Sequence, residues 1–270
     1  MKISELLNNF KELGIAPTKL RGQNFLVDNN VLDKIINKAE IGKNENVLEV
    51  GPGFGALTRE LSKKAKKVVA VEKDNKLYEY IEKEKIEKVQ VVHSDILKIT
   101  EDQLKEFFGN KRYRVIANLP YNISSAFIRK FLELKYAPDS MILMLQKEVG
   151  QRILANFGQN SVLSLSVNFY AEPKILFKVK ATSFFPQPKV DSVILQLNNI
   201  KPKYSVSAER FFKVVKLGFS AKRKMLVNNL KCFGIAEVRS ALKELGLNEK
   251  IRAEELSLDQ WVELTKKIKG

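Results

Sequence analysis

Cysteine and histidine are almost missing from this 270-residue chain, each occurring once, as Cys232 and His93. A single cysteine cannot close an intramolecular disulfide, and one cysteine with one histidine cannot assemble an ordinary Cys/His metal site; no metal is expected. Long apolar runs are missing too. The densest, MILML at 141 to 145, is only strand-sized, and the opening MKISELLNNF lacks the apolar stretch of a secretory signal. The expectation is a cytoplasmic protein with no membrane span. Tandem repeats and low-complexity tracts do not occur. Acidic residues are scarce relative to basic ones: 31 Asp and Glu stand against 47 Lys and Arg, for a net charge of +16. Such an excess suits a polyanionic partner, nucleic acid first. Half of it lies in residues 196 to 270, which carry 16 basic and 8 acidic side chains.

The hydrophobic content of 44% is enough to fill a real core. A short opening helix is expected with Ser4 as its N-cap, Leu6, Leu7, Phe10 and Leu13 as its apolar stripe and Gly14 as its stop. Strand-like runs come next at 46–50, 67–72, 89–94, 113–118 and 140–146, separated by segments of helical character. That alternation predicts a parallel sheet covered on both faces, an α/β fold of Rossmann-like type. Two further strands are expected at 174–180 and 190–197, flanking FFPQP at 184 to 188. From Ala208 onward the pattern predicts three or four short amphipathic helices broken near Gly234, Gly246 and Ser257. The reading is therefore a catalytic α/β domain over 1–198 and a small all-helical, basic domain over 199–270.

Strand 46–50 runs into GPGFGA at 51 to 56. Glycines at such a turn let backbone approach a ligand at the carboxyl edge of a parallel sheet. Gly51, Gly53 and Ala56 also satisfy the dinucleotide spacing, and Glu72 at the end of the next strand could hold ribose hydroxyls in either case, so the loop specifies a nucleoside cofactor without saying which. The later strand ends discriminate: Asp95, with Ile96, closes the third strand, and the fourth ends in NLPY, residues Asn118, Leu119, Pro120 and Tyr121. The exocyclic nitrogen of adenine is a poor nucleophile because its lone pair is delocalised into the ring, and methylation requires it to become tetrahedral. An amide oxygen on Asn118 and a backbone carbonyl held by Pro120 favour that change by accepting its two N–H bonds, and Tyr121 offers a face for a base removed from its stack.

These residues, with GQNFLVD at 22 to 28, LQKEVGQR at 145 to 152, FFPQPKVDSV at 184 to 193, GFSAKRKMLVNNL at 218 to 230 and RAEELS at 252 to 257, resemble the ribosomal RNA adenine dimethyltransferases over nearly the whole chain, and within them the small-subunit type. The resemblance implies a class I S-adenosylmethionine methyltransferase that dimethylates N6 of two adjacent adenosines in a hairpin loop near the 3′ end of 16S rRNA, in the 30S particle, with a role in small-subunit biogenesis and no obligate protein partner. It also implies roles for residues. Asn24, Leu26, Gly51, Gly53, Glu72, Asp95, Ile96 and Asn118 would line the cofactor cleft, with Glu72 on the ribose and Asp95 on the adenine amine. Asn118, Leu119, Pro120, Tyr121 and Phe184 would form the catalytic pocket, Tyr121 and Phe184 sandwiching the extruded adenine. Two departures from the family pattern are Arg21 before GQNFL and Lys180 upstream of Phe184.

No strong general base is needed, because the methylated nitrogen is acidic enough to lose its proton to water; His93 is read as structural and Cys232 as packing. In the basic tail, Lys222, Arg223 and Lys224 between Phe219 and Leu226 suggest a helix with one packed and one phosphate-seeking face. The alternatives are a dimethylase of large-subunit RNA, a DNA adenine methyltransferase, or a ribosome-assembly factor for which methylation is secondary. RAEELS and the residues before GQNFL favour the small-subunit type.

Overall fold

The computed structural model describes residues 3–15, 24–154, 158–221 and 223–269. Arg21 and Lys222 lie outside them. In chain order the elements begin with α1 (Ile3–Glu12), β1 (Phe25–Leu26), α2 (Asn29–Ala39), β2 (Asn46–Val50), α3 (Ala56–Lys64), β3 (Lys67–Glu72) and α4 (Asn75–Lys83). Next come β4 (Val89–His93), α5 (Glu101–Phe108), β5 (Tyr113–Asn118), α6 (Ser124–Glu133), β6 (Met141–Gln146), α7 (Lys147–Ile153) and α8 (Val162–Tyr170). Then β7 (Glu172–Val179), β8 (Phe184–Phe185) and β9 (Ser192–Asn198) precede the helices α9 (Ala208–Gly218), α10 (Leu226–Asn229), α11 (Ile235–Glu244) and α12 (Leu258–Lys267).

Two compact units emerge, one of Met1–Gly150 with Lys174–Ile200, the other of Gln151–Pro173 with Lys201–Gly270. The first holds a seven-stranded sheet in the order β4-β3-β2-β5-β6-β9-β7. Strands β2 to β6 run parallel and β9 lies antiparallel to β6. The parallel strands read as continuous apolar runs because both faces are covered: every residue of β2 is buried, as are five of the six in β3. From β2 the chain builds outward through β3 and β4 on one side and through β5 and β6 on the other. Strand order therefore reverses between β2 and β5, and the carboxyl ends of those two strands flank the crevice where ligands bind in open α/β sheets.

A single domain boundary was expected near Asn198. The chain changes unit at 200/201, and also at 150/151 and 173/174. The reason is α8, whose Leu163, Leu165, Val167, Phe169 and Tyr170 are all buried. A helix apolar around its girth needs partners on several sides. It finds them in the second unit, where Phe169 stacks on Phe211 at 4.6 Å between ring centroids. Trp261 is fully buried there, and a Cβ on Gly218 would lie 2.3 Å from its ring, so α9 and α12 approach at a position only glycine allows.

Some local expectations change. The first helix begins at Ile3, so Ser4 lies inside it and does not cap it; Leu6 and Phe10 are buried, but Leu7 is exposed. Leu6 and Phe10 are four residues apart and share a face, and Leu7 lies about 100° round from Leu6. Cys232 is exposed, not packed. Arg223 and Lys224 do not lie on a helix. α9 stops at Gly218, Asn229 Nδ2 donates to the carbonyls of Gly218 and Ala221, and Arg223 and Lys224 sit exposed in the turn beyond it. Ser257 caps α12 in a capping box with Gln260, and Gly234 and Gly246 flank α11 with positive φ, as the breaks predict.

Candidate active site

The site lies at the β2/β5 switch and is built from the ends of successive strands. Beyond β2, Gly51, Gly53 and Gly55 all have positive φ. A Cβ on Gly53 would stand 2.9 Å from the Phe25 ring, and one on Gly55 2.9 Å from Ile81. A Cβ on Gly51 would meet Pro120 at 3.5 Å, so the glycine turn and the NLPY turn lie against each other. Glu72, at the end of β3, is 5% exposed and binds the glycine turn from below. Its Oε2 accepts from Gly53 N at 3.2 Å, and its Oε1 accepts from Lys73 N and Asp74 N at 2.8 Å each. Burial raises its pKa, and the three backbone donors oppose that rise.

After β4, Asp95 accepts from Leu97 N at 2.9 Å and pairs with Lys73 Nζ at 2.9 Å; the Lys73 hydrogen bond is the main reason its pKa is lowered. With Lys73 largely exposed, that pair contributes little stability and exchanges readily for another donor. At the end of β5, Asn118 Nδ2 donates to the Asn24 carbonyl at 3.1 Å. The bond fixes the amide so that Oδ1 is its acceptor edge. Tyr121 shares a 2.8 Å hydrogen bond with Ser192, and burial raises its pKa.

Two adjoining cavities share Gly51, Glu72 and Pro120. The smaller, about 90 Å³, takes in Asn24, Leu26, Gly53, Glu49, Asn118, Leu119 and Tyr121. The larger, about 530 Å³, is lined by Asp95, Ile96, Lys73 and Asn122 among others. Every expected cofactor residue thus lines one cavity or the other. Phe184 lines neither. Its backbone pairs with Leu26 across the short β1/β8 ladder, and its ring, 3% exposed, joins the core with Ile142, Met144 and Ile194. The Phe184 ring thus belongs to the apolar wall, packed in the same core as Ile142, Met144 and Ile194, which line the smaller cavity. His93 is exposed, stacks on Tyr78 at 4.9 Å, and lines neither cavity.

Glu49 escaped the sequence reading. The signal was an acidic residue inside an otherwise apolar strand, two positions before the glycine turn. Its carboxyl is buried at 2% exposure and its pKa is pushed up to about 8, chiefly by burial, with Thr58 and Arg59 nearby opposing the rise and the Glu72 charge adding to it. Among the described residues, neither Glu49 Oε2 nor Thr58 Oγ1 has a hydrogen-bond partner of good geometry, so Thr58 offsets the rise only weakly. Buried polar atoms left in this state beside a cavity are matched by a ligand that brings donors and positive charge. Carboxyls within or just beyond three consecutive strands (Glu49, Glu72 and Asp95), around a turn that admits close backbone approach, fit a cationic nucleoside such as S-adenosylmethionine.

One consequence concerns pH. Between the ordinary carboxyl value and about 8 the folded protein keeps a proton at Glu49 that the unfolded chain has lost. This contribution to stability is therefore full below that window, falls as pH rises through it, and is gone above about 8. Glu49→Gln is expected to flatten the decline, measured as urea midpoints from pH 5 to 9; an identical slope in the variant contradicts the assignment.

The family model for ribosomal RNA adenine dimethylase matches residues 18–269. A ribosomal RNA small subunit methyltransferase A of Dehalococcoides mccartyi (strain CBDB1) is 41% identical over 258 residues, covering 92% of this chain and 87% of the relative. The protein of the same name from Clostridioides difficile (strain 630) is 40% identical over 254 residues, covering 90% and 88%. Among solved structures, the 23S rRNA methyltransferase ErmE superposes with a TM-score of 0.69 at 27% identity, covering 91% of this chain and 99% of that one. A dimethyladenosine transferase from Plasmodium falciparum gives 0.70 at 27% identity, covering 89% and 95%. With a family match across almost its whole length and relatives near 40% identity, the chain belongs to the ribosomal RNA adenine dimethylase family.

Proposed function

We propose that this protein dimethylates N6 of two adjacent adenosines in a hairpin loop near the 3′ end of 16S rRNA, within the 30S particle, using S-adenosylmethionine, and so takes part in small-subunit biogenesis. The observation that carries the reading is Asn118: its amide is locked by the Asn24 carbonyl at the strand switch, in a cleft shared with Gly51, Glu72 and Tyr121. The cofactor supplies a methyl carbon on a positively charged sulfur. The protein's share is position and electrostatics. Glu72 would hold the ribose hydroxyls, Asp95 and Ile96 the adenine end, and Gly51, Gly53, Asn24 and Leu26 the walls around the methionine part.

Asn118 Oδ1 and the Leu119 carbonyl, set by Pro120, would accept the two N–H bonds of the target nitrogen and turn its lone pair toward the methyl carbon. The methyl group would pass from sulfur to this nitrogen with the C–S electron pair staying on sulfur, and water would take the displaced proton. Tyr121 would carry the extruded base, with Phe184 in the apolar wall that supports it. Lys222, Arg223 and Lys224 would dock RNA phosphates.

The 40% relatives named for the small subunit favour 16S over 23S rRNA, although ErmE shares the fold. The test supplies labelled S-adenosylmethionine with unmodified 30S particles, 50S particles or DNA. Label in 30S RNA alone is expected; label in 50S RNA alone would overturn the choice of substrate. S-adenosylmethionine, unlike NAD, is also expected to raise the melting temperature.

A further inference from the structure

The turn after β5 leads directly into α6, whose inner face is buried through Phe127, Ile128, Phe131 and Leu132. Its outer face borders a groove of about 650 Å³ lined by Asn122, Ser125, Arg129, Lys130 and Glu133 among others. Asn122 lines the larger cofactor-site cavity as well, so the groove begins at the mouth of the cleft, one residue beyond Tyr121. Asn122, Ser125, Arg129 and Glu133 succeed one another at spacings of three and four, a continuous stripe running from the mouth along the helix.

The cations around this mouth differ in what they already hold. Lys73 is paired with Asp95, and Lys76 donates to the carbonyls of Leu13 and Gly14. Lys130 donates to the carbonyls of Leu97 and Ile99 at 2.8 and 2.6 Å. Arg129 is in a different state. Its Nε is buried without a hydrogen-bond partner, and no ion pair to Arg129 occurs among the described residues. A guanidinium presents five donors in a planar fork, and a buried donor with no acceptor is costly unless a ligand supplies one. Phosphate oxygens match that fork with two parallel bonds.

A nucleotide whose base has been drawn into the cleft leaves its sugar at the mouth, with its phosphates and those of the next nucleotides strung outward from there. Resting on the adenine methylation proposed for this cleft, we propose that Arg129, with Asn122 and Ser125 beside it, is a phosphate-binding rim by which the sheet-containing unit grips the RNA strand next to the extruded adenine. The rim acts without reading sequence, as backbone contacts do, and holds the strand so that the target base faces Asn118.

The test uses the full-length protein in three variants, Arg129→Gln, Arg129→Lys and Ser125→Asp. It measures S-adenosylmethionine affinity, the salt dependence of binding to a hairpin RNA carrying the adenosine loop, and methylation of unmodified 30S particles. Arg129→Gln is expected to lower the log–log salt slope by about 0.7 to 0.9, one phosphate contact, and to weaken binding roughly fivefold at 0.15 M salt. The loss is expected in KM for particles, with cofactor affinity retained. Arg129→Lys, which keeps the charge, is expected to restore the slope. Ser125→Asp puts an anion on the rim in the first turn of α6, where the helix tolerates it, and is expected to weaken RNA binding. An unchanged salt slope in Arg129→Gln, or RNA affinity unaffected by Ser125→Asp, overturns the rim. Failure of the wild-type protein to methylate 30S particles would instead remove the adenine reading on which it rests.

Discussion

Replacing Asn118 with alanine is expected to lower kcat by a factor of roughly 10² to 10³, the usual cost of deleting one preorganised polar group at a reacting centre. The effect belongs in kcat because the amide contributes most as the target nitrogen becomes tetrahedral, and little to the bound ground state. The amide is held in advance: Asn118 Nδ2 is engaged by the Asn24 carbonyl, which leaves Oδ1 for the substrate. Asn118→Asp separates the two functions of the side chain. It preserves an acceptor but sets a carboxylate against the Asn24 carbonyl, so its turnover is also expected to fall. Single-turnover methylation of 30S particles at saturating cofactor measures both, and an Asn118→Ala enzyme as fast as wild type would remove Asn118 from the mechanism.

Glu72→Ala is expected to weaken S-adenosylmethionine binding by roughly 10²-fold, taking about 1.5 to 3 kcal/mol for each hydrogen bond made to a charged group. The fold is destabilised as well. The carboxylate accepts from three backbone N–H groups, and the Gly53 bond is fully buried. Leaving that donor unsatisfied costs about 1 to 3 kcal/mol, while water entering the vacated space serves the other two. Glu72 thus shapes the glycine turn in addition to the ribose contact proposed for it, a structural role its place at a strand end does not reveal. Calorimetric titration with cofactor beside urea denaturation separates the two effects. Unaltered affinity in a folded Glu72→Ala protein would take the ribose off this carboxylate.

The sheet was legible because its strands are buried on both faces: NVLEV, KVVAVE and YRVIAN read as apolar runs, and each stops at a residue that a ligand cleft can use. The residues at those ends that line the two cavities were legible for the same reason. What escaped depends on contacts between distant parts of the chain. A two-residue ladder such as β1/β8 has no periodicity, so nothing in FFPQP shows that Phe184 turns inward. A helix apolar on all sides announces burial without naming the unit that buries it, which is why α8 was not assigned to the C-terminal helices. Glu49 was hidden by the strand it interrupts, and Arg223 and Lys224 looked helical because the carbonyl contacts of Asn229 that end α9 cannot be read from spacing.

Substrate, position and number of methyl groups are all reached by one measurement. Unmodified 30S particles are incubated with the protein and S-adenosylmethionine, and the 16S rRNA is digested to nucleosides and to oligonucleotides for mass spectrometry. The proposed activity would leave two adjacent N6,N6-dimethyladenosines within a single hairpin-loop fragment near the 3′ end. Methyl groups on another base, on isolated adenosines elsewhere in the RNA, or none at all in 16S rRNA would contradict it.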